Sequence, residues 1–505
     1  MPTIGSSSEF PLRLAHPHEF LRVREFFQNA AFNDVTLCRA LGMRDMSDLG
    51  RVSWDKVRLE QLPAPLRWCI DVFARCLPVD EQESLATCGN AAFAAFLALG
   101  LLRAAKKSPA AVLCPVWVYP VDGFVVASDR RDDPDGNPYS PPEDVVFPAI
   151  YAGTLRFLRL LPEARDGEAL DLCGGSGIGA LRFSRTARVA VTADVTERAA
   201  FFAEFNARLN GAAVTSLRGD LYTPVKERQF DAISAHPPFV PATGQNMVYR
   251  DGGDTGEEVT RRTVEGLPAH LRPGGTCVIL CVARDTEKKV FEQRVSDWLG
   301  RARDEFDVLF GLEKVLSVEE VVESMRKRGQ QIGEEEARQL FSRLRSCGTR
   351  QFVYGALVIR RHEERLGDEP LRIRMTPSAS VADFERLLSW RRQCAQPGFA
   401  EWLAKSRPRL APGLELTARH VVQDGELVPA EFVFSVERGF QAALRPDAWV
   451  VPLVARLEGS RSVQEVFEAA RTANELPDGF KLEAFLDLVR KMIERGFLEL
   501  EVARS

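Results

Sequence analysis

Ten cysteines are spread through the 505-residue chain without one Cys-x-x-Cys pair, and its six histidines are scattered. Neither a disulfide framework nor a zinc cluster is expected, and a reducing, cytoplasmic setting fits the thiols best. Charge of one sign is missing as well: 66 Lys and Arg stand against 71 Asp and Glu, for a formal net charge of -5. Such a balance leaves no overall footprint for nucleic acid, although local basic patches stay open. No apolar run approaches the length that spans a bilayer. The opening residues, MPTIGSSSEFPLRLAHPHEF, lack a charged stretch followed by an apolar one and do not read as a secretion signal. Internal repeats and long low-complexity tracts are also lacking. The length is enough for roughly three domains, each with its own core.

The informative stretch runs from Ala169 to Pro241. A short apolar run ends at Asp171, Cys173-Gly174-Gly175-Ser176-Gly177-Ile178-Gly179 comes next, and helical spacing continues through Leu181 and Phe183. This reads as strand, glycine turn and helix. Glycines leave out the Cβ, so the chain turns tightly and backbone N–H groups approach a polar ligand at a helix N-terminus. Such a turn alone also closes ordinary α/β units; the spacing of three later apolar runs adds specificity. The second run, Arg188 to Ala193, ends at Asp194, roughly 20 residues on, where folds of this kind place an acid for ribose hydroxyls. A third, through Val214 and Leu217, ends at Gly219-Asp220-Leu221, and a fourth, Phe230 to Ala235, ends at His236-Pro237-Pro238-Phe239. The carboxyl ends of strands in an open parallel sheet line one crevice, so these four ends converge on one ligand.

Together these motifs resemble the class I S-adenosylmethionine-dependent methyltransferases. Within them they are similar to the "small" branch whose fourth strand ends in Asn-Pro-Pro-Tyr or Phe, which includes release-factor glutamine N5-methyltransferases and several RNA and DNA amino-methyltransferases. Arg208-Leu209-Asn210-Gly211, Asp251-Gly252-Gly253-Asp254-Thr255-Gly256 and Leu271-Arg272-Pro273-Gly274-Gly275 fit the same pattern. The resemblance implies an α/β fold, a Rossmann-like sheet with helices on both faces, and S-adenosylmethionine as cofactor. It implies Asp171 and the turn around Cys173, Gly175 and Gly177 at the methionine part, Asp194 at the ribose, Asp220 and Leu221 at the adenine, and Val195 as a further cofactor contact. His236 departs from the pattern, where the family has Asn or sometimes Asp or Ser. In the family that Asn and the carbonyl of the next proline, here Pro237, accept hydrogen bonds from the target nitrogen, and the prolines hold the loop rigidly.

A neutral His236 beside the cofactor accepts one hydrogen bond, or it takes a proton outright. Both nitrogen and oxygen nucleophiles therefore stay open. Pro238 and Phe239 would border the substrate, Phe239 as an aromatic wall, and Tyr151 and Thr154 in the approach from Phe147 are further candidate contacts. The expected activity is methyl transfer to nitrogen or oxygen of a small, biosynthetic molecule, which suits the acidic charge and the histidine. A protein glutamine or an RNA amino group, which suits the motifs, is the alternative, and a non-catalytic cofactor-binding scaffold is a second.

Around this core the chain reads as flanking modules. Glu19 to Leu41, Leu66 to Cys76 and Ala91 to Lys106 have helical character, and Val116 to Tyr119 with Phe124 to Val126 form a hairpin turned at Asp122-Gly123. These make an N-terminal helical or winged-helix-like module to residue 128, and 129–146, rich in Asp, Pro and Gly, is a linker or lid. The methyltransferase part is expected over 147–364, with a helical insertion at about 315–348 whose Arg326-Lys327-Arg328 reads as solvated charge rather than a phosphate grip. From 370 to 505 an α+β module resembles a small winged helix in shape. Its signals are strands within Leu414 to Ser435, a capping box at Ser462 and Glu465, and the apolar stripe Leu482, Phe485, Leu486, Val489, Met492 and Ile493.

Overall fold

The computed structural model describes residues 10–242, 247–327, 332–362 and 369–500. Within them the chain divides into two compact units. The first contains residues up to Arg303 together with Leu316–Tyr354; the second contains Asp304–Val315, Gly355–Arg360 and the residues from 369 onward.

Five parallel strands organise the first unit: β1 (Glu168–Leu172), β2 (Val189–Asp194), β3 (Val214–Arg218), β4 (Phe230–Ala235) and β5 (Leu271–Thr286). Their order in the sheet is β5-β4-β1-β2-β3. Leu170 and Leu172 of β1, Phe230 and Ile233 of β4, and Cys277 through Cys281 of β5 are fully buried, as the near-continuous apolar runs of a covered parallel sheet require. The helices between them are α1 (Ala152–Leu160), which leads into β1, α2 (Ile178–Phe183), α3 (Glu197–Asn210) and α4 (Glu258–His270). Strand order reverses beside β1, so the crevice outside the carboxyl ends of β1 and β4 is the topological switch point where such sheets bind ligands.

The N-terminal residues build an aromatic core from Phe27, Trp68, Phe73 and Phe96, whose rings meet 5.2–5.6 Å apart. The helix expected over Glu19 to Leu41 is two, Pro17–Asn29 and Asp34–Leu41. Asn33 breaks it, because its side chain accepts the Thr36 N–H and so starts a new helix. The helix expected to reach Lys106 stops at Ala98, where Gly100 turns left-handed (φ 71°). The hairpin forms as Trp117–Val121 and Phe124–Ser128.

Two asparagines one turn apart on α3 carry that hairpin. Asn206 accepts the Ala127 N–H at 2.8 Å and donates to the carbonyls of Ala127 and Ser176. Asn210 accepts the Val125 N–H at 2.9 Å and donates to its carbonyl. Two helical side chains thus substitute for a neighbouring strand along the hairpin edge. The stretch 129–146 contains no helix or strand and is pinned as a strap, with Arg198 of α3 donating twice to the Asp129 carboxylate, at 2.5 and 2.8 Å. That carboxylate also accepts the Val146 N–H.

The insertion is a helix pair, Val318–Lys327 and Glu334–Ser346, closed over a core of Val318, Val322, Leu340, Leu344 and Phe352. Arg326 faces Glu323 and Glu334, the arrangement of a solvated charge run; Arg328 lies outside the described residues. In the second unit, Leu371–Met375 pairs in parallel with the strand around Leu309 and antiparallel with Phe440–Leu444, which continues into the hairpin Glu415–Gln423 and Glu426–Arg438. Helices Val463–Thr472 and Leu482–Glu494 bury Val466, Phe467, Phe485 and Val489. The first starts at the Ser462 and Glu465 capping box read from the sequence.

Because Asn206 is fully buried and serves three backbone groups, Asn206→Ala is expected to cost about 3 kcal/mol in urea unfolding. A loss under about 1 kcal/mol would mean that apolar packing, not these bonds, docks the hairpin.

Candidate active site

The four strand ends open on one cavity of about 920 Å³, in the range of pockets that enclose a whole small molecule. Its wall includes Tyr151 and Thr154 from the start of α1, Asp171 from β1, Cys173 and Gly175 from the glycine turn, Asp194 and Val195 after β2, Asp220 and Leu221 after β3, and His236, Pro237, Pro238 and Phe239 after β4. The structure thus gathers nearly every residue singled out in the sequence. Gly177 is the exception. It is off the cavity wall and caps α2 with φ 79°, where a Cβ would come within 2.8 Å of Ala203. Its glycine answers to helix packing.

The backbone at these ends is unusual for its side chains. Cys173 (φ 55°) and Leu221 (φ 48°) are both left-handed without being glycine, which costs about 1–3 kcal/mol each and is tolerated where the surroundings over-determine it. Burial pushes the Cys173 thiol well above its ordinary range, so this residue is a small neutral filler and not a nucleophile.

The acids divide by environment. Asp171 is 2% exposed; its carboxylate accepts from Ser234 Oγ at 2.7 Å and from the Ala180 N–H of α2, and burial raises it to about 7. Asp194 accepts the N–H of Gly175 at 3.0 Å and that of Thr196 at 3.1 Å, bonds that oppose the upward push of burial. Asp220 is exposed and paired with Arg262 at 2.6 Å. Val195, 47% exposed, offers an apolar surface at the same wall.

His236 is stacked between Phe157 of α1 (5.4 Å) and Phe239 (6.1 Å). Burial alone lowers it from 6.5 to about 4, so at neutral pH the imidazole is uncharged and offers one acceptor nitrogen and one N–H. The loop it begins is braced from behind by 250–256. Val240 donates to the Arg250 carbonyl and accepts from the Gly252 N–H, each at 2.9 Å. A Cβ on Gly252 would lie 2.6 Å from the Pro238 carbonyl oxygen, and one on Gly256 2.5 Å from that of Phe239, so this brace demands glycine at both places.

Several contributors escaped the sequence reading. Tyr354 lines the cavity from a strand that reads as plain core, and its hydroxyl comes close to Gly153. Phe157 looks like any buried helix residue. Glu143 and Asp144 belong to the strap, and Phe147 stacks on Tyr249 at 5.2 Å to form a rim. None has a motif; only the folded chain brings them in.

Residues 148–306 match the family model described as methyltransferase small domain. This part of the chain is a class I S-adenosylmethionine-dependent methyltransferase domain. Within that class its sequence is similar to the branch that includes the release-factor and ribosomal-protein glutamine methyltransferases. The chain is 30% identical over 205 residues to the ribosomal protein uL3 glutamine methyltransferase of Bradyrhizobium diazoefficiens, covering 35% of this chain and 63% of that protein. It is 30% identical over 135 residues to the release factor glutamine methyltransferase of Geobacter sulfurreducens (24% and 47%), and 34% over 132 residues to that of Moorella thermoacetica (21% and 46%). The chain therefore spans from under half to somewhat less than two thirds of the length of these relatives. Among solved structures, a ribosomal protein L11 methylase from Lactobacillus delbrueckii subsp. bulgaricus aligns at 18% identity over 42% of this chain and 78% of its own, with a TM-score of 0.25, too low to carry weight.

S-adenosylmethionine is the cofactor of this class, and the residues present suit it. An acid at the end of β2, a glycine turn with open space at Gly175 and the apolar Val195 and Leu221 on one wall would suit its hydroxyls, its amino-acid end and its adenine.

The raised Asp171 gives a checkable pH effect. The folded state holds its proton up to about pH 7 whereas an unfolded aspartate loses it near 3.8, so this group's contribution to stability falls as pH rises through that window. Urea unfolding at pH 5 and pH 7 should therefore show Asp171→Asn gaining on the wild type at the higher pH; an equal difference at both would place the wild-type carboxyl near its ordinary value.

Proposed function

We propose that the protein methylates the side-chain amide nitrogen of a glutamine in a protein, using S-adenosylmethionine. The observation that carries this reading is the cavity-lining loop, where an uncharged His236 can accept one hydrogen bond beside Phe239, with the Pro237 carbonyl as the second acceptor that the family resemblance implies. The relatives' names, which state glutamine as the methylated residue, support it. The expectation of a small-molecule acceptor finds no such support. It leaned on the acidic charge, which names no acceptor, and on histidine as a base for an acidic O–H or N–H, and burial has made this imidazole a poor base.

Asp194 would hold the ribose hydroxyls, the N–H groups of the glycine turn the amino-acid end, and Leu221 and Val195 the adenine. When bound, the cofactor supplies a methyl group on a sulfonium, open to in-line attack. The chain's own part is alignment and exclusion of water. An amide nitrogen shares its lone pair with its carbonyl and is a weak nucleophile. Two acceptors that engage its hydrogens fix its direction, and the flat wall of Phe239 holds its plane. Its proton leaves only after the methyl has arrived. By then the nitrogen belongs to a protonated amide, acidic enough to release its proton even to an imidazole with a pKa of about 4.

Isothermal titration with S-adenosylmethionine should show saturable binding that Asp194→Ala weakens by about 100-fold, the equivalent of one lost charge-assisted pair of hydrogen bonds. Incubation with methyl-labelled S-adenosylmethionine and either ribosomal protein uL3 or a peptide release factor should place label on glutamine, read by peptide mass spectrometry. His236→Ala should lower kcat by about 10–100-fold with cofactor affinity nearly unchanged, and His236→Asn should retain much of the rate. Label found on a small-molecule extract and on neither protein would refute the glutamine reading. In NMR the His236 ring should stay in its neutral form from pH 8 to about pH 5; a midpoint near 6.5 would make it a solvent-like base and reopen oxygen nucleophiles.

A further inference from the structure

The helix pair inserted between residues 318 and 346 reaches the far end of the His236 loop. Arg343, on its second helix, donates to the Ala242 carbonyl at 2.6 Å, a contact spanning 101 residues of chain. Among the described residues its Nε is buried and has no hydrogen-bond partner, so the bond to Ala242 is what that side chain secures. Val240, the residue after Phe239, packs against the insertion's apolar core of Val318, Leu340 and Leu344. The same short segment is bonded from the other side by 250–253: Val240 N–H to the Arg250 carbonyl, Gly252 N–H to the Val240 carbonyl, and Ala242 N–H to the Gly253 carbonyl.

We propose that the insertion is a brace for the methyl-transfer loop and that Arg343 is a positioning residue acting through Ala242 and Val240 on His236 to Phe239. This rests on the glutamine-methylation reading for its catalytic consequence, while its structural part stands without it. The physical reason is leverage. The prolines at 237, 238 and 241 have no N–H to donate, so the loop has few hydrogen bonds of its own. Its position depends on what seizes Val240 and Ala242, whose carbonyl and amide groups are the last polar handles before the segment 243–246. A guanidinium can hold a carbonyl there with a charge-assisted bond. Displacement of a reacting group by about 1 Å costs on the order of 100-fold in rate, so a remote brace is visible in kcat.

The test uses the full chain with Arg343→Met, which keeps the apolar stem but removes the donor, and Arg343→Lys, which restores one charged donor. Hydrogen–deuterium exchange should show the Val240 and Ala242 amides exchanging about tenfold faster in the Met variant, with partial recovery in the Lys variant, while the amides of β1 and β4 keep wild-type rates. On the labelled protein acceptor, kcat should fall in the Met variant and recover in the Lys variant, with the KM for S-adenosylmethionine unchanged. Wild-type exchange at Val240 and Ala242 in the Met variant would overturn the proposal. So would faster exchange spread through β1 and β4, since Arg343 would then serve general stability. Absence of turnover in the wild type would defeat the glutamine reading instead, and the exchange result would still decide on the brace.

Discussion

The hydrogen bond between Asp171 and Ser234 lies at the point on which the first unit depends. The two residues stand opposite each other in the parallel register of β1 and β4, and 2.7 Å separates Ser234 Oγ from the carboxylate. The same carboxylate accepts the Ala180 N–H at the start of α2, and a Cβ on Gly179 would lie 2.5 Å from it. One buried acid thus ties two strands and a helix together where the strand order reverses. The cost of burying it appears as its raised pKa, and in return it secures the position of the glycine turn against the loop after β4. Moving either by an ångström would separate the cofactor side of the cavity from the acceptor side.

How far the sequence could be read depends on where the interactions are local. The four strand ends were legible because each is a short apolar run closed by a special residue, and a parallel sheet brings such ends together whatever the helices do. Ser462 with Glu465 was legible because a capping box is complete within four residues. Asn33 was not, since an asparagine within a helical pattern reads as a surface residue until its side chain is seen to take the Thr36 N–H. Tyr354 and Phe157 were invisible for a different reason. Each belongs to an element whose pattern is satisfied by packing, and only the third dimension shows that one ring faces the cavity and the other a histidine. Gly177 sits in the motif, and packing against Ala203 by itself already requires glycine there, a demand the motif alone does not reveal.

His236 shows how a change of residue type can keep a role. Placed in water, an imidazole in this loop would be half-charged near neutrality and would compete for protons. Stacked against Phe157 and Phe239 and held uncharged, it keeps one acceptor and one donor, fewer than an asparagine carries but including the acceptor needed at that place. The aromatic pair therefore makes the substitution chemically workable, by removing the option of a base strong enough to deprotonate the nucleophile before transfer and leaving the acceptor. That is why the departure from Asn does not by itself require a different nucleophile.

The parts outside the family match then acquire a common logic. The hairpin is held to α3 by Asn206 and Asn210, the strap by the ion pair of Asp129 with Arg198, and the loop beyond Phe239 by Arg343. In each case a polar side chain grasps backbone or a single buried charge, contacts that fix direction more narrowly than apolar packing does. Apolar packing such as that of Val240 against the insertion's core supplies area but tolerates sliding. A site that must set a methyl donor in line with a nucleophile gains little from area and much from direction, and these polar anchors hold elements that adjoin cavity-lining residues such as Ser176, Val146 and Val240.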